Sequence, residues 1–73
     1  MTHARALKYG LNSDGALFLY ERGGRYYVQW GPLHGRPDPW AEWFDRASAD
    51  ACFEEAVQKR GLKVTIVREG EDT

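Results

Sequence analysis

Apolar positions dominate the chain from Ala16 to Gly31, and the adjacent glycines Gly23 and Gly24 divide that stretch into two halves. Two consecutive residues that accept positive φ are what a tight two-residue hairpin turn requires. The turn fixes a register with Glu21 opposite Tyr26, Tyr20 opposite Tyr27, Leu19 opposite Val28, Phe18 opposite Gln29 and Leu17 opposite Trp30. Side chains alternate across a strand, so these pairs sort onto two faces. One face carries Leu17, Leu19, Val28 and Trp30, and the other carries Phe18, Tyr20, Tyr27 and Gln29. A small antiparallel sheet usually keeps one face wet. Here the face left for water is aromatic, which points to binding and not to a reaction centre.

Upstream, residues 6–11 alternate, with Leu7, Tyr9 and Leu11 on one side of a short predicted strand. Asn12-Ser13-Asp14-Gly15 follows as a turn, since Asn and Asp bond back to the backbone. The three strands form a meander. Residues 31–39 hold three prolines and must be a loop. Trp40 to Phe44 reads either as a further strand or as the first turn of a helix; its aromatic content favours the strand. Ser48 is the predicted N-cap of the helix, with Asp50 in its first turn. Ala49, Cys52, Phe53, Ala56 and Val57 form one apolar stripe, Glu55 and Lys59 stand four apart, and Lys59-Arg60-Gly61 reads as the C-terminal end. Residues 62–68 are rich in β-branched side chains and predict a last strand, with Leu62, Val64 and Ile66 on one face.

The expected fold is α+β: a small antiparallel sheet of 4–5 strands with one helix packed on one face, in a single domain over residues 1–73. The predicted core is Leu17, Leu19, Val28, Trp30, Phe53, Val57, Val64 and Ile66, with residues 1–4 and 69–73 frayed. A single helix leaves the second sheet face uncovered. Ten of the 73 residues are Phe, Tyr or Trp, which argues for a real core in a chain whose length permits only a modest one.

One cysteine, Cys52, excludes an internal disulfide, and the Cys/His spacing fits no zinc motif. Neither a metal nor a cofactor is expected. The chain shows no signal peptide and no apolar run of membrane-spanning length, so the expectation is a soluble protein of a reducing compartment, the cytosol. The net charge of −1 conceals an asymmetry: residues 1–36 sum to +3 and residues 37–73 to −4. Basic excess is therefore confined to the first half, through Arg5, Lys8, Arg22, Arg25 and Arg36.

Candidate catalytic groups are sparse. Cys52 sits on the helix's apolar stripe, where a free thiol acts as a small hydrophobe. His34, beside Arg36 and Asp38 in the Pro/Gly loop, lacks a second catalytic partner, and His3 falls in the frayed end. No enzyme is expected. Arg22 and Arg25 flank the hairpin tip, either splayed into water or acting as a two-pronged clamp for phosphate or partner carboxylates. Among Trp40, Trp43 and Phe44, Trp43 is the candidate to join the tyrosine face.

Tyr26-Tyr27-Val28-Gln29-Trp30-Gly31, the Gly/Pro loop, Trp43-Phe44-Asp45 and Ser48 to Phe53 together resemble the WGR domain, a small β-rich module of DNA-repair and bacterial proteins. Pro32 stands where that family's arginine would follow Trp-Gly, and no Gly-Gln pair follows in the loop. In size and organisation the chain also resembles accessory proteins of phages and mobile elements, such as anti-CRISPR inhibitors.

Two functions from different classes follow. The first is a non-catalytic protein-binding module that docks its aromatic face on a larger protein, or on a second copy as a homodimer. It would act through Phe18, Tyr20, Tyr27 and Trp43, with Arg22 and Arg25 at the rim. The alternative, implied by the resemblance, is nucleic-acid binding, with Lys8, Arg22, Arg25 and Arg36 on phosphates and aromatic rings stacking on bases.

Overall fold

The computed structural model describes residues 4–67. The elements run β1 (Arg5–Asn12), β2 (Gly15–Arg22), β3 (Arg25–Pro32), β4 (Ala41–Trp43), α1 (Arg46–Arg60) and β5 (Lys63–Ile66). All strands pair antiparallel in one sheet of order β4-β3-β2-β1-β5. The fold is α+β, with the helix packed on one face over β2, β3 and β4. The fraying expected at residues 1–3 and 69–73 lies outside the described residues, as does Arg68 of the predicted last strand; Ala4 is exposed.

The β2–β3 hairpin has the predicted register pair for pair. Gly23 and Gly24 both hold positive φ, 61° and 79°, which supplies the twist that flanking strands need. The β1–β2 turn is closed by Asn12, whose Oδ1 accepts from the backbone amides of Asp14 (2.7 Å) and Gly15 (3.0 Å). Asn12 Nδ2 also donates to the carbonyl of Arg60, which ties this turn to the end of the helix.

Three expectations need correction. First, β1 does not alternate throughout. Its pairing with β2 shifts between Ala6 and Lys8, so Leu7 and Lys8 both lie on the helix side and later residues change sides. Leu7 is buried, whereas Tyr9 and Leu11 lie on the other face, opposite Phe18 and Ala16. Second, the helix starts before Ser48. Asp45 is the N-cap: its Oδ2 accepts the Ser48 amide at 2.8 Å, and Asp50 lies beyond the first turn. The earlier start brings Arg46 to 3.7 Å from Asp50 at i,i+4, while Glu55 and Lys59, also four apart, form no ion pair among the described residues. Gly61 ends the helix in the left-handed conformation, as predicted.

Third, the core is shifted toward the middle of the sheet. It comprises Leu7, Leu17, Leu19, Val28, Trp30, Ala49 and Phe53, with Val57 and Cys52 half-buried against it. Val64 and Ile66 share the helix face through their pairing with Gly10 and Lys8, but they lie on the edge strand. They remain 37% and 69% exposed because the helix sits over the opposite half of the sheet. Leu62, just before β5, closes that side instead. It packs on Gly10, where an added Cβ would stand 3.0 Å from Leu62 Cβ. Lys8 fills the space between sheet and helix. Its Nζ lies 3.0 Å from Asp50 Oδ1, 3.5 Å from Glu54 Oε1 and 5.0 Å from the centre of the Phe53 ring. The Trp30 ring is capped in the same way by the Arg60 guanidinium, 4.0 Å above it.

Candidate binding face and hairpin-tip hollow

The face opposite the helix is built by the alternation that buries Leu17, Leu19, Val28 and Trp30. Each of those residues has a neighbour pointing the other way. Phe18 and Tyr20 come from β2, Tyr27 and Gln29 from β3, and the β1 bulge adds Tyr9. The rings organise in pairs. Tyr20 and Tyr27 stack with centroids 5.3 Å apart and planes 17° apart. Tyr9 and Phe18 meet in a tilted pair at 6.3 Å. Among the described residues no element crosses this face, and Phe18 is 40% exposed.

Strand β4 extends the face at one edge. Its predicted strand conformation is found, paired with Glu42 opposite Tyr27 and Trp43 opposite Tyr26. That pairing sends Trp43 to the helix side, where it packs on the core with its Nε1 buried and without a hydrogen-bond partner. The tryptophan that joins the tyrosines is Trp40, 59% exposed. Strand alternation already contains this answer: Tyr27 and Glu42 share a face, and Trp40 is two positions from Glu42.

At the hairpin tip, Tyr20, Arg22, Arg25, Tyr27, Trp40 and Glu42 line an open hollow of about 600 Å³. A smaller hollow on the other side of Tyr20 and Arg22 is lined by Phe18, Gln29, Ala4 and Ala6. Glu42 is engaged through both of its oxygens within the larger one. Arg25 Nη1 donates to its Oε1 at 3.2 Å, and the Tyr27 hydroxyl donates to its Oε2 at 2.9 Å. The Phe44 ring lies 4.9 Å from the Arg25 guanidinium carbon, so Arg25 is held between an aromatic ring and a carboxylate. The bond to Glu42 raises the Tyr27 hydroxyl above the ordinary tyrosine pKa, because only the neutral hydroxyl can donate it; the charge of Glu42 adds to the same direction. Arg22 faces Arg25 across the ladder and makes no ion pair with any described residue. The two-pronged clamp therefore has one prong committed within the chain.

The basic set of the nucleic-acid reading is divided. Lys8 is on the helix side, engaged by Asp50 and Glu54, while Arg22 and Arg25 are at the tip of the other face. Arg36 stands exposed in the loop between β3 and β4. That loop is anchored by the Asp38 amide on the Trp30 carbonyl (2.9 Å) and by Gln29 Nε2 on the Asp38 carbonyl (3.1 Å), and its His34 is exposed. Cys52 is half-buried, beside Glu55, Ala56, Lys59 and Arg60. Among the described residues no group of three or more His, Cys, Asp or Glu is placed to hold a metal ion. No helix among them is long and apolar enough to cross a membrane. No protein-family model, curated protein or solved structure matches the chain.

Proposed function

We propose that the chain is a non-catalytic protein-interaction module that docks the aromatic face of its sheet on a larger protein or on a second copy of itself, blocking or bridging what it binds. The observation that carries this reading is the paired aromatic surface formed by Tyr9, Phe18, Tyr20 and Tyr27 opposite the helix, with Phe18 exposed and the three tyrosines half-buried. Aromatic side chains offer large contact area at low entropic cost, and contiguous exposed patches of them mark interaction sites. The rings are already packed on one another, so little order is lost when a partner covers them. A WGR-like nucleic-acid module is the weaker proposal, because a phosphate-binding surface needs its cations on one side of the molecule.

Affinity capture with parent, Tyr20→Ala and Tyr27→Ala chains tests the reading. Both variants should keep the far-ultraviolet spectrum of the parent and lose about 2 kcal/mol or more of binding to whatever the parent captures. Parent binding should change only mildly with added salt. Equal capture by parent and variants would refute the reading, and a steep fall in affinity with salt would favour the nucleic-acid proposal.

A further inference from the structure

We infer that the hairpin-tip hollow recognises a carboxylate beside an apolar or aromatic side chain, so that the partner presents an acidic segment there. This rests on the docking role proposed for the aromatic face. The charge arrangement carries it. Arg22 and Arg25 are directly opposed on adjacent strands, an unfavourable pairing of like charges. Glu42 relieves it on one side only, through its bonds to Arg25 and Tyr27. The nearest carboxylate in sequence, Glu21, points to the other face and pairs with Arg5 at 2.9 Å. Arg22 is thus left, among the described residues, as a guanidinium without a carboxylate, on the wall of a hollow that carries a net positive charge.

A guanidinium takes a carboxylate through two parallel N–H···O bonds. Beside it, the Tyr20–Tyr27 stack and the exposed Trp40 provide apolar walls. One acidic side chain and one neighbouring apolar side chain satisfy both parts of the hollow together. A nucleic-acid backbone fits less well. It needs a row of cations, and here one uncommitted guanidinium shares the hollow with a carboxylate, Glu42, that is bonded to Arg25.

The test is selection from a random dodecapeptide library displayed on phage, against the immobilised full chain, its Arg22→Gln variant and its Tyr20→Ala variant. Selected peptides are then measured singly by fluorescence polarisation, alongside an oligo-dT single strand. The parent should select peptides rich in Asp or Glu next to an apolar residue. Arg22→Gln should bind those peptides roughly tenfold more weakly, the loss of one charge-assisted pair, and should select apolar sequences without the acidic bias. Tyr20→Ala, with Arg22 intact, should keep the acidic bias and lose the preference for a neighbouring apolar residue. A parent selection without acidic residues, or equal binding of acidic peptides by Arg22→Gln, overturns the inference and leaves the docking role standing. No selection by the parent overturns both. Tighter binding of the oligonucleotide than of any peptide overturns both in favour of nucleic acid.

Discussion

Phe53→Ala is the most informative single substitution in this domain. The Phe53 ring is fully buried and, with Leu19, is one of the two largest side chains in that state. Phe-to-Ala changes in a close-packed core cost about 3–5 kcal/mol, through lost transfer energy and the cavity left behind. The Lys8 ammonium 5.0 Å from the ring centre would lose its aromatic partner as well, for up to about 1 kcal/mol more at a partly desolvated site. A domain of this length has a total stability of roughly 4–11 kcal/mol, so the variant should lose a large share of it and unfold outright if the parent lies at the low end of that range. The control is Ile66→Ala. Hydrophobic pattern alone puts Ile66 in the same core, but it is 69% exposed, and its truncation should cost less than about 0.5 kcal/mol. Urea titrations followed by circular dichroism and tryptophan fluorescence measure both. A Phe53→Ala chain within about 1 kcal/mol of the parent, or an Ile66→Ala chain as damaged as Phe53→Ala, would refute this account of the core.

Three further outcomes are expected. Gly15→Ala should destabilise by about 1–3 kcal/mol in the same titration, because its methyl would run into the Gly31 carbonyl oxygen and stand 2.8 Å from Pro32 Cα, both backbone atoms. The Asp45 carboxylate is held below its ordinary pKa of 3.8 by the Ser48 amide, so its stabilisation is complete above that value and lost as pH falls through the lower, folded pKa. Asp45→Asn keeps an acceptor that does not titrate, so the stability gap between parent and variant should narrow as acid is added; a gap independent of pH would contradict this cap. Cys52, half-buried against the core, should react with a thiol reagent more slowly in the native protein than in denaturant, and equal rates would mean that the helix does not pack as described.

What the sequence made legible was governed by local rules. The β2–β3 register follows from two glycines and the alternation around them, and its cross-strand pairs match the expectation. The Asn12 turn and the Gly61 terminus are similarly local. Prediction failed where several local solutions compete or where coverage decides. Asp45 and Ser48 are both good caps, and the earlier one prevails with a longer helix and an Arg46–Asp50 pair. The β1 bulge has no composition signal, yet it sends Lys8 under the helix and Tyr9 to the open face. Val64 and Ile66 lie on the correct side of the sheet, but no pattern of apolar residues states how far one helix reaches. The candidate face was legible in Phe18, Tyr20 and Tyr27. Trp40, Glu42 and Phe44 join it only once β4 is paired to β3.

The place of β5 in the sheet sets an order of events. Every other strand pairing joins neighbours along the chain, whereas β5 reaches β1 only after the meander and the helix have intervened. Such a contact closes the largest loop in the domain, and its entropy is spent before any pairing is gained. The return is small, because all four residues of β5 stay exposed. The strand is therefore expected to dock last during folding and to leave first under native conditions. In amide exchange its protection should be set by local opening, while Leu19 and Phe53 report the unfolding of the whole domain.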